Sequence, residues 1–527
     1  MPALSALPVA SDTWSSLLRR PDVVIDRGTL HLRHESTTPA DAARDDLLLV
    51  ADALEAAGVA TLLVRHDRRT LALVVDVADR DAAFRALSEV GAVEPLYLKP
   101  RRGEPVLAAE AASPRDKPSS WRVYRPRISR RGDLRYGASS GARLEFWRFG
   151  EIVEAPTANA LLRANTPAAD IAFSTVERHD RTWRTVDGMF DPQPDEFTEP
   201  VDIVFSWVDG SATEFQRQRA AQMAGYVVGE GDDGPARYRQ VDELRYALRS
   251  VHMYAPWVRR IFIATDSPAP SWLVEHPKVT IVRSDEFFGD TSVLPTHNSH
   301  AVEAQLHRID GLAEHFLYSN DDMFFARPVE PELFFTPAGV TKFVECEVRI
   351  GAGSTAAGRS GHDNALRVNR ELLRERFDRR IVRDLEHCAT PLRRSILAEL
   401  EEAFPEEIAR TAASRFRSAT DVSVTNCLYH YYALMTGRAV VTRRPRVRYV
   451  QTTLAKSLRG MDELAARRDV DMFCLNDGGE HEIPEDLRVS VLRATLERMF
   501  PVRAPWERPA VSAGREEARS AHPSAAR

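Results

Sequence analysis

A chain of 527 residues with 43% hydrophobic content exceeds what one ordinary core can organise, so two or three domains are expected. Its 71 basic and 77 acidic residues leave a formal net charge of -6, which excludes a general attraction to nucleic acid or anionic lipid. The most apolar stretch, residues 47–64, is interrupted by Asp52 and Glu55, so no membrane-spanning helix is expected, and the first residues lack the basic and apolar regions of a signal peptide. Cys346, Cys388, Cys427 and Cys474 are too far apart for paired metal ligation and suit free thiols in a reducing compartment. These features point to a cytoplasmic protein, with peripheral attachment at the inner face of the membrane left open.

Along the chain, residues 41–100 read helix, strand, strand, helix, strand, which predicts a small α/β module over 1–100. Pro and Arg then crowd residues 99–135, so 101–195 reads as a basic linker and β-rich connecting region. That positive charge suits a polyanionic glycan or lipid headgroups, and a plain solvated linker is the simpler reading. Within it, LEFWRFGEIVEAP (144–156) has strand composition and is expected to pack on the catalytic sheet. VDIVFSWVDG (201–210) is an apolar run ending in the turn signal Asp209-Gly210. From Asp242 the period changes, and Leu244, Leu248, Val251 and Met253 predict an amphipathic helix that Pro256 stops. RRIFIATD (259–266) and VTIVRS (279–284) read as two more strands, and Asn298-Ser299 as the cap of a helix carrying Ala301, Val302, Leu306 and Ile309. FLYSNDDMFF (316–325) follows as a strand that ends in carboxylates. Strands alternating with helices predict a largely parallel sheet covered on both faces, over 196–342. The Gly-, Ser- and Ala-rich segment 343–365 reads as a flexible insert. Helical patterns over 366–500 predict a helical catalytic part, and 501–527 a disordered tail.

The acidic pair Asp321-Asp322 is the best metal candidate. A strand that finishes in polar residues delivers them to the carboxyl edge of a sheet, where open α/β folds bind nucleotides, and Mg²⁺ needs only one or two carboxylates when waters and substrate phosphates complete its shell. Taken alone, such a pair is more often a turn or helix cap. In the charged cluster Arg237, Arg239, Asp242, Glu243 and Arg245, Asp242 and Arg245 are the candidates for contacting an anion near a helix start, although helix salt bridges explain most such clusters. Asn298 and Ser299 read as a cap or as substrate contacts. Asn320 could orient a carboxylate or a ribose hydroxyl, and Asn476-Asp477 sit in a Gly-bounded turn.

Four blocks carry a resemblance: DIVFSWVDG from Asp202; YRQVDELRYALRSVHMYAPWVRRIFIATD with LPTHNSHAVEAQLHRIDGLAEHFLYSNDDMFFARPV; LRRSILAELEEAFPEE with RFRSATDVS; and CLNDGGE from Cys474. Over 201–480 the chain resembles the Stealth family of capsular and exopolysaccharide phosphotransferases, related to the animal enzyme that adds N-acetylglucosamine 1-phosphate to lysosomal glycoproteins. The resemblance implies an α/β fold, Rossmann-like or glycosyltransferase-A-like, with a mostly parallel sheet, a helical subdomain and a separate N-terminal module. It implies transfer of a sugar 1-phosphate, with an N-acetylhexosamine expected, from a UDP-sugar to a hydroxyl of an exopolysaccharide or capsule glycan, with release of UMP. Asp321 and Asp322 would hold Mg²⁺ or Mn²⁺, Arg367 and Arg417 would neutralise phosphate, and His387 would act as general base. Asp209, Asp242, Arg245, Asn298, Ser299, Asn320, Asn476 and Asp477 would contact substrate. Partners would be a nucleotide-sugar donor and a polysaccharide acceptor, with no nucleic acid; association with membrane-bound export machinery and homo-oligomerisation are compatible with it. Ser211-Ala212 departs from the family's usual Ser-Asp or Thr-Asp, which removes any carboxylate at position 212. Two rival functions are a metal-dependent glycosyltransferase releasing UDP and a catalytically silent glycan- or nucleotide-binding protein.

Overall fold

The computed structural model describes residues 12–68, 70–111, 119–210, 217, 241–477 and 482–509. Its central element is a five-stranded sheet in the order Val279–Val282, Ile261–Ala264, Val201–Ser206, His315–Asn320, Thr390–Arg393. The first four strands are parallel, and Thr390–Arg393 runs antiparallel along the edge. The expected Rossmann-like, largely parallel α/β sheet is observed. Its strands are short β-branched and aromatic runs because both faces are covered. Ile203, Phe205, Ile263 and Leu317 enter one core with Leu244, Ala247 and Val251 of helix Glu243–Tyr254. Val204, Phe262, Phe316 and Tyr318 enter the other with Ala301, Leu306, Ile396 and Leu400. This is the two-residue alternation of a strand buried on both sides. Asp202, fully buried, accepts from Arg259 Nε at 2.9 Å, from the Arg260 N–H at 3.1 Å and from the Ala313 N–H at 2.8 Å, locking the base of the sheet.

After Asn320 the chain turns through Asp321-Asp322 into a second, small sheet. Met323–Phe325 pairs antiparallel with Met472–Asn476, which lies parallel to Val447–Gln451. The acidic turn thus joins the two sheets.

Three expectations need correction. Strand Ala142–Trp147 lies inside the N-terminal sheet, parallel to Leu71–Asp76 and antiparallel to Ser120–Tyr124, and not on the catalytic sheet. That sheet has the order Thr61–Arg65, Leu71–Asp76, Ala142–Trp147, Ser120–Tyr124, Tyr97–Pro100, Val106–Leu107, with helices Pro39–Ala56 and Arg80–Gly91 packed on one face. The module therefore draws its middle strands from the region expected to be a connector, because Trp121, Leu144 and Phe146 complete a core that residues 1–100 leave open. Second, segment 343–365 is anchored: Glu345–Arg349 pairs with Arg383–Leu385, and Arg370 donates to the carbonyls of Gly351 at 2.8 Å and Gly353 at 3.0 Å. Third, the expected tail begins later. Trp506 is buried in the main core and Glu507 binds Arg249 Nε at 2.6 Å, so residues up to 509 belong to the fold, while 510–527 lie outside the described residues.

Candidate active site

Asp322 sits where the two sheets meet. Its backbone carbonyl accepts from the Leu475 N–H at 2.9 Å, which fixes the turn against strand Met472–Asn476. Its Oδ2 faces the Cys474 thiol at 3.5 Å, and its Oδ1 is buried with no hydrogen-bond partner. Burial pushes the carboxyl up to about 7, with the Glu243 and Asp477 carboxylates adding to the shift and the Cys474 thiol opposing it. Burying an unpartnered carboxylate oxygen is costly, and a divalent cation supplies the missing interaction. Asp321 is adjacent and half-buried. Among the described residues no group of three or more His, Cys, Asp or Glu is arranged as a metal site. An acidic pair such as Asp321-Asp322 would leave a hard cation to complete its shell with waters and substrate phosphate oxygens.

Around this turn stand Asn476, Asp477 and Tyr449. Burial raises the Tyr449 phenol above the ordinary value, and the Asn476 side chain opposes that shift. Asp477 Oδ1 accepts from Arg488 Nη1 at 3.2 Å and from the Thr452 hydroxyl. The Tyr449 ring then contacts His387, centroid to centroid 5.7 Å.

His387 lies in the loop between Arg383–Leu385 and Thr390–Arg393. Burial depresses its pKa to about 4; His362 and Arg417 add to the shift and Asp384 opposes it. A histidine held neutral at pH 7 keeps its lone pair available, while the lowered pKa makes it a weaker base than a free imidazole. The His362 ring is 5.9 Å from that of His387, and its Nε2 is 2.9 Å from Asp384 Oδ2. The His362 hydrogen bond and charge hold Asp384 below the usual carboxylate range against the opposing effect of burial. Arg417 donates to Ser299 Oγ at 2.9 Å. Its stem crosses the start of helix Gly361–Phe377 at Gly361, where an added Cβ would come within 2.6 Å of the Arg417 Cβ.

Tyr449 thus links the Asp321-Asp322 turn and Asn476-Asp477 to His387, and the Arg417 charge, held beside Ser299, is felt at His387. The remaining candidates have other surroundings. Asn298 caps Ser299–Glu303 through the His300 N–H at 3.1 Å, and its amide donates to Asp421 Oδ2 at 2.8 Å and the Ser414 carbonyl at 3.2 Å, which holds the loop bearing Arg417. The Asn320 side-chain oxygen accepts from the Tyr318 hydroxyl at 3.0 Å. Arg367 is buried; it ion-pairs with Asp363 and donates to the Ala352 carbonyl at 3.3 Å, while its Nε has no partner. Arg245 pairs with Glu507 at 2.7 Å. Asp242 is exposed, with φ of 63°, just before helix Glu243–Tyr254, and the Asp209 N–H donates to Ser267 Oγ at 2.8 Å at the end of Val201–Ser206. Arg237, Arg239, Ser211 and Ala212 lie outside the described residues. Sequence reasoning missed His362, Asp384 and Tyr449, which carry no motif of their own, and set aside Glu243, whose charge reaches Asp322.

Ser299, Asp321, Asp322, His387, Arg417, Asn476 and Asp477 fall within regions that family comparison identifies, whereas His362, Asp384 and Tyr449 lie between them. Stealth protein conserved region 2 matches residues 237–343, conserved region 3 residues 386–434 and conserved region 4 residues 462–518. A Mycobacterium tuberculosis protein named exopolysaccharide phosphotransferase CpsY is 49% identical over 502 residues, spanning 94% of each chain. The chain belongs to the Stealth family. A Nocardia farcinica member, also named exopolysaccharide phosphotransferase, is 52% identical over 470 residues, covering 89% of this chain and 88% of its own. Among solved structures, the galactosyltransferase LgtC with donor and acceptor sugar analogues aligns over 57% of this chain and 96% of its own, at 11% identity and a TM-score of 0.29, too low to bear on function. This Stealth protein is an enzyme of the family's transferase group. No helix among its described residues is long and apolar enough to cross a membrane.

Proposed function

We propose that this Stealth protein transfers a sugar 1-phosphate from a nucleotide diphosphate sugar to a hydroxyl of an exopolysaccharide glycan. The acceptor oxygen forms a new bond to the sugar-bearing phosphorus, the phosphoanhydride bond breaks, and a nucleoside monophosphate leaves. The observation that supports this reading is the approach of the Asp321-Asp322 turn to His387 through Tyr449, in a chain half-identical over nearly its whole length to exopolysaccharide phosphotransferases.

Phosphoryl transfer demands alignment and positive charge more than covalent steps. Asp321 and Asp322 would hold a Mg²⁺ or Mn²⁺ ion, which when bound neutralises diphosphate charge. Arg417, from the 414–421 loop, would donate to the transferring phosphate, its planar fork matching two oxygens. His387, neutral and buried, would take the proton of the acceptor hydroxyl, and the Asp384 carboxylate would stabilise the imidazolium that results. Asn476 and Tyr449 would border the sugar or the diphosphate. The relatives' names support an exopolysaccharide acceptor; a UDP-N-acetylhexosamine donor and a cytoplasmic reaction are the readings we carry forward.

The experiment incubates the purified protein with Mg²⁺, UDP-sugars and a short glycan acceptor, and identifies the released nucleotide by mass spectrometry. Acceptor-dependent UMP with a sugar-phosphate mass gain is expected; UDP with a gain lacking phosphate would mean glycosyl transfer instead. His387→Ala should retain donor binding and lose about 100-fold or more in turnover, and normal turnover would remove His387 from its role.

A further inference from the structure

The face of the N-terminal sheet turned away from its two helices carries a row of like charge. Lys99 lies directly opposite Arg122, and Arg122 directly opposite Arg143, on three neighbouring antiparallel strands. Directly opposed residues bring their Cβ atoms to about 4.5–5.5 Å, where like charges destabilise a sheet. The row continues into Ala72 and Val64, part of an apolar cluster with Leu62, Val74 and Trp147. On its other flank stands a second apolar cluster with Tyr97, Tyr124 and Leu30. The cations therefore form a strip between two packed apolar patches.

Compensation of this charge is incomplete among the described residues. Glu145 lies 3.8 Å from Arg143 Nη1, too far for a hydrogen bond, and its oxygens face His66 Nδ1 at 2.9 Å and Trp147 Nε1 at 3.0 Å. Asp67 accepts from the Thr70 N–H at 2.8 Å, and its charge, with that of Glu145, offsets part of the burial of Arg122. Arg143 donates to Ser120 Oγ at 3.2 Å, and its Nε is buried with no partner. Arg122 donates to the Gly141 carbonyl at 3.2 Å, and burial together with the Arg143 charge pushes it below the ordinary arginine value. After strand Tyr97–Pro100, Arg101 and Arg102 are exposed.

We propose that Lys99, Arg122 and Arg143 form a binding strip for the phosphodiester groups of the glycan that this enzyme extends, a reading that rests on the phosphotransfer proposed above. Neighbouring strands are about 4.8 Å apart, so the three cations span roughly 10 Å, a linear array for a charged chain. Guanidinium groups match phosphate oxygens in pairs, and lysine adds a point charge. The strip is half-buried between its two apolar flanks, so a single polymer strand reaches it more readily than a flat layer of lipid headgroups. The product of one catalytic cycle, now bearing a phosphodiester, would be retained for the next.

The test measures binding of inorganic tripolyphosphate to the full chain by calorimetry, in wild type and in Lys99→Gln, Arg122→Gln and Arg143→Gln, at two salt concentrations. Each substitution is expected to weaken binding about tenfold and to reduce its salt dependence. Phosphodiester-bearing glycan should compete with tripolyphosphate, and the same glycan without phosphate should not. Relief of repulsion predicts that Arg122→Gln melts at or above the wild-type temperature without ligand, whereas a purely structural arginine would lower it. Unchanged tripolyphosphate affinity in folded Arg122→Gln and Arg143→Gln overturns the strip. Binding confined to anionic phospholipid vesicles, with no competition by glycan, overturns the glycan assignment. The released nucleotide is read separately: UDP from wild type would refute phosphotransfer even where the strip still bound tripolyphosphate.

Discussion

The catalytic sheet and the N-terminal sheet treat buried charge differently. At the base and flanks of the catalytic sheet, charge is matched: Asp202 with Arg259, and Glu507 with Arg245 and Arg249. The N-terminal module also matches Arg65 with Glu196 and Asp46 with Arg125 and Arg127, but on one face of its sheet Lys99, Arg122 and Arg143 are stacked against one another. The catalytic region breaks its own pattern at Asp322, whose Oδ1 has no partner. Matched buried charge holds a fold together only while both partners remain, whereas unmatched charge costs stability and persists where a ligand supplies the partner.

That contrast can be broken most directly at Asp322. Asp322→Asn should reduce turnover by about 1,000-fold, since it removes a carboxylate at the diphosphate, yet the metal-free variant should be no less stable than wild type. The sign follows from the raised pKa: between the unfolded carboxylate value near 4 and the folded value of about 7, the native state binds more protons, so Asp322 lowers stability as pH rises through that window. Denaturant melts of both proteins across pH 4–8 would show the wild-type disadvantage growing toward pH 7, and a disadvantage that stayed flat would remove the buried charge as its cause.

Glu507→Ala sharpens the opposite side. It leaves Arg245 and Arg249 without their shared carboxylate, and the loss of one partner of a buried pair costs about 3–5 kcal/mol. Equilibrium unfolding measures it, and a change under about 1 kcal/mol would show the pair to be idle. The smallest effect is expected at Asp384. Because Asp384 favours protonated His387, Asp384→Asn should move the acid limb of the kcat/KM profile to lower pH and cut the plateau about tenfold, with donor binding unchanged. An unmoved limb would separate Asp384 from the base.

Much of the catalytic core was legible in the chain. Strands Val201–Ser206, Ile261–Ala264, Val279–Val282 and His315–Asn320 announce themselves as short buried runs, and the acidic turn after Asn320 falls at the sheet's carboxyl edge as expected. The site was legible as motifs and not as partners. Nothing in sequence marks Tyr449 or His362 as neighbours of His387, since those contacts join segments dozens of residues apart. Composition also misled: the Pro- and Arg-rich region after residue 100 looks like a connector, yet Ser120–Tyr124 and Ala142–Trp147 are middle strands of a sheet, because one face of each supplies apolar side chains to the core while the other carries the charge.

Local periodicity, turn chemistry and the strand-end acids by themselves determined the fold class and the order of elements in the core, and the long motifs carried the family resemblance, because each depends on residues close together in the chain. Only the tertiary structure decided that Arg245 belongs to Glu507, that Asn298 serves the loop of Arg417, and that Lys99, Arg122 and Arg143 stand in line. Those outcomes depend on strand register and long-range packing, and register is set by the whole buried face and not by any one segment.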